Sequence, residues 1–194
     1  TRVINALQVG RSFNGEMDSK IPIKSMMCWN ANPVTQAPET EKIISGLLKE
    51  DLFLVSAEHF ISDTASYADI LLPAAMGAEL EDIILSWGHL YLTYNQKSIE
   101  APGEALPNNE IFQKLAKAMG YDDSQFNWSD SECLENYIDW DAPASKGISL
   151  DYLKKNGFAR LNVGTKDDRV PHKEGNFATE SGKCEFILKG VTNF

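Results

Sequence analysis

Unbroken apolar runs separated by short polar breaks set the pattern of this chain. Ile23-Lys-Ser-Met-Met-Cys-Trp29 is stopped by Asn30-Ala-Asn-Pro33, a string of turn-forming residues. A run without apolar–polar alternation predicts a strand covered on both faces. Pro38-Glu-Thr-Glu41 then opens a helix with acids in its first turn, and Ile43, Ile44, Leu47 and Leu48 share one of its faces. Residues 51–56 predict a second strand, 62–68 a helical turn capped by Ser62, and 69–73 a third short strand. Upstream, 3–9 predict a short helix ended by Gly10.

Strand, helix, strand, turn, strand predicts an α/β fold. We expect a three-layer Rossmann-like domain with a mostly parallel sheet. Right-handed crossovers place the ends of the first two strands, and the loops after them, on one edge of that sheet. Open α/β sheets bind ligands outside the carboxyl ends of their strands. The bends at 30–33 and 57–62 are therefore the expected ligand edge.

Farther on, Trp87, Tyr91, Thr93 and Tyr94 predict extended structure over 83–99. Residues 101–107 read as a linker. Asn108 or Asn109 is placed to cap a helix whose face is Ile111, Phe112, Leu115, Ala116 and Met119, ended by Gly120. Short amphipathic pieces follow at 131–140 and 149–156. A polar stretch at 162–175 reads as a linker, and 179–188 as a turn entering a strand. These features divide the chain at 1–120, the Rossmann-like domain; 121–175, a variable and irregular helical extension; and 176–194, the start of a further domain.

Composition narrows the chemistry. The chain has 194 residues with a net charge of −10, which argues against a nucleic-acid partner held by neutralised phosphates. Its apolar runs are far too short for membrane insertion. Cys28, Cys133 and Cys184 lie apart with no CxxC or Cys/His cluster, so no metal site is expected. There is no GxGxxG, GxxxxGK[ST], HExxH or GxSxG string. Ser181-Gly-Lys183 lacks the earlier glycine of a phosphate loop. His89 reads as packed among aromatics, and His172 as a solvated linker residue.

The ligand edge offers better candidates. Asn30 and Asn32 suit tight turns, and each amide both donates and accepts, so either can read a purine edge or fix a ribose. Glu58 ends the second strand, where a carboxylate accepts from ribose hydroxyls or from a guanine N1–H and N2–H pair. His59 beside it reads equally as a nucleotide contact or as a loop residue satisfying backbone groups. Asp63 and Thr64 open the helical turn, a start that favours a pyrophosphate. No nucleophile or second acid accompanies Glu58 and His59, which argues against catalysis by the chain alone.

Three strings in fixed order carry a family resemblance. They are Cys28-Trp-Asn-Ala-Asn-Pro33, Val55-Ser-Ala-Glu-His-Phe-Ile-Ser-Asp-Thr-Ala65 and Tyr67-Ala-Asp-Ile-Leu-Leu-Pro-Ala-Ala75. With Glu79 and Ala101-Pro-Gly-Glu-Ala105, they resemble the third domain of the large molybdopterin oxidoreductases, the dimethyl sulfoxide reductase superfamily. Gly175-Asn-Phe-Ala-Thr-Glu-Ser-Gly-Lys-Cys-Glu-Phe186 resembles the segment that introduces the family's C-terminal barrel, with Glu180 replacing a proline.

The resemblance implies a fragment of a multidomain enzyme, prokaryotic and either cytoplasmic or periplasmic, that is inactive by itself. Molybdenum or tungsten would be held by two molybdopterin guanine dinucleotides, with any iron–sulfur cluster and the metal-ligating residue outside this chain. The implied partners are the remaining domains of the same subunit and an electron-transfer subunit. By motif, the implied dinucleotide-binding positions are Asn32, Ala57, Glu58 and Asn108; Asn30, Ser56 and His59 beside them complete the candidate set. Many relatives have Asp where Glu58 and Asn108 stand, and a lysine where Leu80 stands. A free-standing α/β binding module that has lost the cofactor is the alternative, and Leu80 and Asn108 are what favour it.

Overall fold

The computed structural model describes residues 23–186. Strands β1 (Ser25–Trp29), β2 (Phe53–Glu58) and β3 (Ile70–Pro73) form a parallel sheet in that order. Trp29 lies beside Ala57, and Ala57 beside Leu72. The carboxyl ends of β1 and β2 thus share an edge, as parallel pairing requires.

The pleat sends alternate residues to opposite faces. Cys28 and Leu54 face the helix α2 (Thr40–Leu47) and pack with Ala37, Ile43, Leu47 and Leu52. Met27, Ala57 and Leu72 face the other way and pack with Ala74, Leu106 and Ile111 of α3 (Asn108–Ala118). The result is helix, sheet, helix: the layers expected from the apolar runs. Ile43 and Leu54 are 0 % and 1 % exposed, and burying each such side chain contributes about 1.5–3 kcal/mol. Leu48, the residue after α2, is 65 % exposed.

The linker before α3 pairs in parallel with the chain just after β3, Leu106 lying beside Ala74. Ala75 N–H donates to the Leu106 carbonyl at 2.8 Å, and Leu106 N–H donates to the Pro73 carbonyl at 3.2 Å. That pairing delivers the start of α3 to the carboxyl edge of the sheet. Gly120, with φ of 83°, follows the helix in the left-handed region that glycine enters without a Cβ clash.

Beyond the parallel sheet, β4 (Asp82–Leu85), β5 (Tyr91–Asn95) and β6 (Phe158–Arg160) form a second one in that order. β5 and β6 are antiparallel, with Leu92 beside Ala159. α4 (Asp130–Tyr137) begins with a capping box: Ser129 Oγ accepts from Glu132 N–H, and Glu132 Oε2 accepts from Ser129 N–H at 2.8 Å. α5 (Leu150–Asn156) is capped by Ser149 and buries Leu150 and Leu153.

Among the described residues the chain divides into two compact units, 23–84 with 94–138, and 85–93 with 139–186. The first contains the parallel sheet, α2, α3 and α4. The second contains α5 and β6, with Leu92, Ile148, Leu150, Leu153 and Ala159 among its buried residues.

Several local expectations are corrected. Residues 30–33 are not all loop, because Pro33 begins a one-turn helix, α1 (Pro33–Gln36), a position where its missing N–H is no loss. Neither Asn108 nor Asn109 caps α3. Pro107 occupies the cap, and the Asn109 amide is drawn instead to Asp130 Oδ1 at 2.6 Å. The segment 62–68 contains only a single 3₁₀ turn, Ala65–Tyr67. Strand β6 was not foreseen, and 179–186 are turns and bends. The expected helix at 3–9 and the end of the expected strand at 187–188 lie outside the described residues.

Candidate functional site at the carboxyl edge of the parallel sheet

The first bend is organised by Asn32. Its Oδ1 accepts from Thr64 N–H at 3.1 Å and from the Thr64 hydroxyl at 2.7 Å. Thr64 Oγ1 in turn accepts from Val34 N–H at 3.0 Å. Asn32 Nδ2 donates to Thr35 Oγ1 at 3.1 Å, whose hydroxyl donates to Asp63 Oδ2 at 2.8 Å. Thr64 is fully buried, so these bonds satisfy groups that water cannot reach. Asn32 therefore ties the bend after β1 to the segment after β2. Asn30 precedes it, exposed, with φ of 50°, a left-handed conformation that asparagine tolerates.

The second bend is stiffened by its own side chains. Glu58 Oε1 accepts from His59 N–H at 2.9 Å. His59 Nε2 meets the Ala75 carbonyl at 3.1 Å, a contact in which the ring nitrogen donates. Ser56 and Ala57 are buried in β2, so a ligand approaching this edge meets Glu58 first. Glu58, His59, Phe60 and Ile61 line a cleft of about 190 Å³ with Leu72 and Pro73. Burial, and then the nearby Glu58 charge, push the Cys28 thiol up to about 11. That thiol donates to the Ala31 carbonyl at 3.0 Å and is not a nucleophile at neutral pH.

Asn108 opens α3 and lines a separate cavity of about 260 Å³. Trp29, the last residue of β1, forms another wall and is held edge-on by Phe112, their rings 5.2 Å apart. Leu80, Asp82 and Tyr137 complete the parts that matter here. Among the described residues, Asn108 Oδ1 is a buried acceptor with no hydrogen-bond partner. An amide oxygen left so is costly by about 1–3 kcal/mol and calls for a donor from elsewhere. Asp82 is held above the usual carboxylate range, chiefly by burial, with the Asp130 charge adding; its own bond to Ile83 N–H works against the rise.

The sheet thus brings Asn30, Asn32, Ser56, Ala57, Glu58 and His59 to one edge, and the linker brings Asn108 to the same edge. Asn108 and Glu58 line different cavities there. Trp29 and Asp82 are not among the sequence candidates for this site, and Thr64 is expected there only as part of a helix start that favours a pyrophosphate. Thr64 had been read as a helix start; its tie to Asn32 spans 32 residues and leaves no local signal. His89 makes an edge contact with Tyr91, and His172 stacks on Phe177 at 4.2 Å. Among the described residues, no group of three or more His, Cys, Asp or Glu is arranged to hold a metal ion, and no helix is long and apolar enough to cross a membrane.

The residues fit the base end of a nucleotide. A flat indole wall and an unsatisfied buried acceptor suit a planar ring with N–H donors. Leu80 offers no cation to a phosphate at that position.

Comparison with known proteins places this edge in context. A family model described as molybdopterin oxidoreductase matches residues 4–118. The chain is 37 % identical to the probable oxidoreductase YoaE of Bacillus subtilis over 185 residues, covering 95 % of this chain and 26 % of that protein. It is 32 % identical to the F420-dependent formate dehydrogenase subunit alpha of Methanocaldococcus jannaschii, over 83 % of this chain and 24 % of the relative. Acetylene hydratase from Pelobacter acetylenicus has a similar fold, with a TM-score of 0.63 at 23 % identity, over 88 % of this chain and 22 % of that one. The chain spans about a quarter of the length of the curated relatives it matches.

Proposed function

Because the chain belongs to the molybdopterin oxidoreductase family, we propose that it grips the nucleotide end of a molybdopterin guanine dinucleotide within a longer oxidoreductase polypeptide. The observation that carries this reading is the buried, unpartnered Oδ1 of Asn108 beside the Trp29 ring. Guanine offers two adjacent donors, N1–H and N2–H, on one planar edge, which matches an acceptor next to a flat apolar wall. The cofactor itself would supply oxygen-atom or electron transfer at molybdenum or tungsten.

The chain's residues hold and orient. Rotation of the Asn108 amide into the cavity it lines brings Oδ1 to a base donor. Trp29, fixed by Phe112, limits the plane in which that base lies. The Asn32–Thr64 tie keeps the bend after β1 in register with the segment after β2, and the Glu58 carboxylate faces the ribose side of the edge. Several modest contacts along an extended ligand fix the pterin end better than one strong contact would. The partners in this reading are the remaining domains of the same subunit and an electron-transfer subunit, with any iron–sulfur cluster in the part of the polypeptide outside this chain.

The test is Asn108→Ala in the full-length enzyme, with molybdenum and acid-released GMP measured per polypeptide. Both should fall together, by roughly tenfold for the loss of one buried hydrogen bond. Unchanged GMP and metal would remove Asn108 from the site. The second reading, a module that has lost the cofactor, draws on the internal use of Asn32 Oδ1 and on Leu80; wild-type protein carrying neither GMP nor metal would favour it.

A further inference from the structure

α3 covers its face of the parallel sheet only in part. Ala57, Ala74 and Ile111 are buried there, whereas Phe53 is 46 % exposed and Leu115 is 41 % exposed. An apolar groove of about 410 Å³ runs between them. Met27, Phe53, Val55 and Leu72 form its floor, and Ile111 and Leu115, one turn apart on α3, form its wall. It opens at the amino ends of β1 and β2, where Ser25 lies beside Phe53. Among the described residues its lining includes neither Asn108 nor Glu58. On the opposite face of the sheet, Cys28, Leu54, Ile43 and Leu47 are buried against one another with α2 over them.

We propose that this groove is an internal docking site for the apolar stretch at residues 3–9 of the same chain. The stretch carries the pattern the groove calls for. Val3, Ala6 and Leu7 fall on one side at helical spacing, and Asn5 and Gln8 fall on the other. It lies outside the described residues, and the described chain begins at Ile23, directly before β1, whose Ser25 and Met27 line the groove. Residues 10–22 are enough chain to double back over this face, at up to about 3.3–3.6 Å each. Asn14-Gly15 within them is a turn signal. The family match over residues 4–118 takes in most of the stretch together with the floor and the wall of the groove. A segment tethered this closely meets the groove at an effective concentration of about millimolar, which favours it over a second copy of the chain. Docking removes Phe53 and Leu115 from water and completes the layer that α3 leaves open. The proposal stands apart from the nucleotide reading and does not depend on it.

The test uses the full-length protein with the exposed thiol removed by Cys184→Ser. One variant adds Leu7→Cys and Leu115→Cys. A second adds Leu7→Cys and Leu48→Cys, position 48 being exposed and next to α2, across the sheet from α3. After treatment with a short bismaleimide, peptide mass spectrometry counts the links. The 7–115 link within one chain should exceed the 7–48 link by about fivefold or more, as proximity within a tether dictates. An equal or larger yield of the 7–48 link overturns the proposal, and so does the absence of both links. A 7–115 link found only between chains also overturns it and assigns the groove to a second copy. The second readout needs no crosslink. In the Leu115→Cys background, Leu7→Glu should raise the rate of thiol labelling at position 115 by about tenfold or more, because a charged side chain resists burial. Asn5→Glu, on the polar side of the stretch, should leave that rate unchanged. Equal labelling with and without Leu7→Glu overturns the proposal, as does an equal rise from Asn5→Glu. Cys28, buried under α2, should stay unlabelled in each variant, which separates release of the stretch from unfolding; where Cys28 reacts, the crosslink decides.

Discussion

The amide oxygen of Asn32 accepts both the backbone N–H and the hydroxyl of Thr64, at 3.1 and 2.7 Å. Asparagine in the first bend is therefore a strut before it is a reader of ligand. Its role at the site is to hold two loops of the carboxyl edge at a fixed spacing, so that groups beside it meet a ligand together.

Asn32→Ala should lower the unfolding free energy by about 2–3 kcal/mol, because the buried Thr64 N–H and hydroxyl lose their shared acceptor. Asn32→Asp keeps an acceptor and should lose less than half as much. Urea unfolding midpoints at constant m-value report the difference. Equal losses in the two variants would show that the oxygen is not the important atom.

Thr64→Val should be nearly as damaging as Asn32→Ala, by about 1–3 kcal/mol, since Val34 N–H is left without its partner. Thr64→Ser keeps the hydroxyl and should be much milder. A double-mutant cycle between positions 32 and 64 should give a coupling of about 1 kcal/mol or more. Additive losses would contradict the tie.

Glu58→Ala in the full-length enzyme should lower cofactor content and loosen the second bend, because the His59 N–H loses its acceptor. Glu58→Gln preserves that local bond while removing the charge. Molybdenum content separates the two effects: if the charge serves the ligand, Glu58→Gln should fall as far as Glu58→Ala.

Cys28 gives a pH dependence whose sign is set by its upward shift. The unfolded thiol ionises near 9.0 and the folded one near about 11, so the folded state keeps its proton longer. The stability contribution is whole below pH 9.0 and is lost as pH rises toward about 11. Cys28→Val should flatten that alkaline decline. At neutral pH a thiol reagent should label exposed Cys184 quickly and leave buried Cys28 and Cys133 unreacted.

Much of this was legible in the residues. The runs at 23–29 and 51–56 named two parallel strands, because full burial on both faces leaves no room for polar alternation. The turn residues after them named the bends at the carboxyl edge of the sheet. Leu48 and Leu115 share the spacing of an apolar helical face, yet they are 65 % and 41 % exposed. Spacing assigns a face, whereas burial depends on where the helix ends and how far its neighbour reaches. Asn108 was found through motif order, but its orphaned oxygen follows from the surrounding packing and has no signal in the residues alone. Asp82 gave no signal at all, since one acid among many acquires meaning only from the wall it joins.

The hydroxyl of Thr64 is donor to one loop and acceptor from the next residue pair along it, so neither bend can be altered independently. Laboratory evolution that randomises residues 30–33 with the downstream segment left intact would sample mostly broken pairs. Libraries built on this scaffold have to vary positions 32 and 64 as a joint codon choice, except where a single change keeps the acceptor at 32 or the hydroxyl at 64.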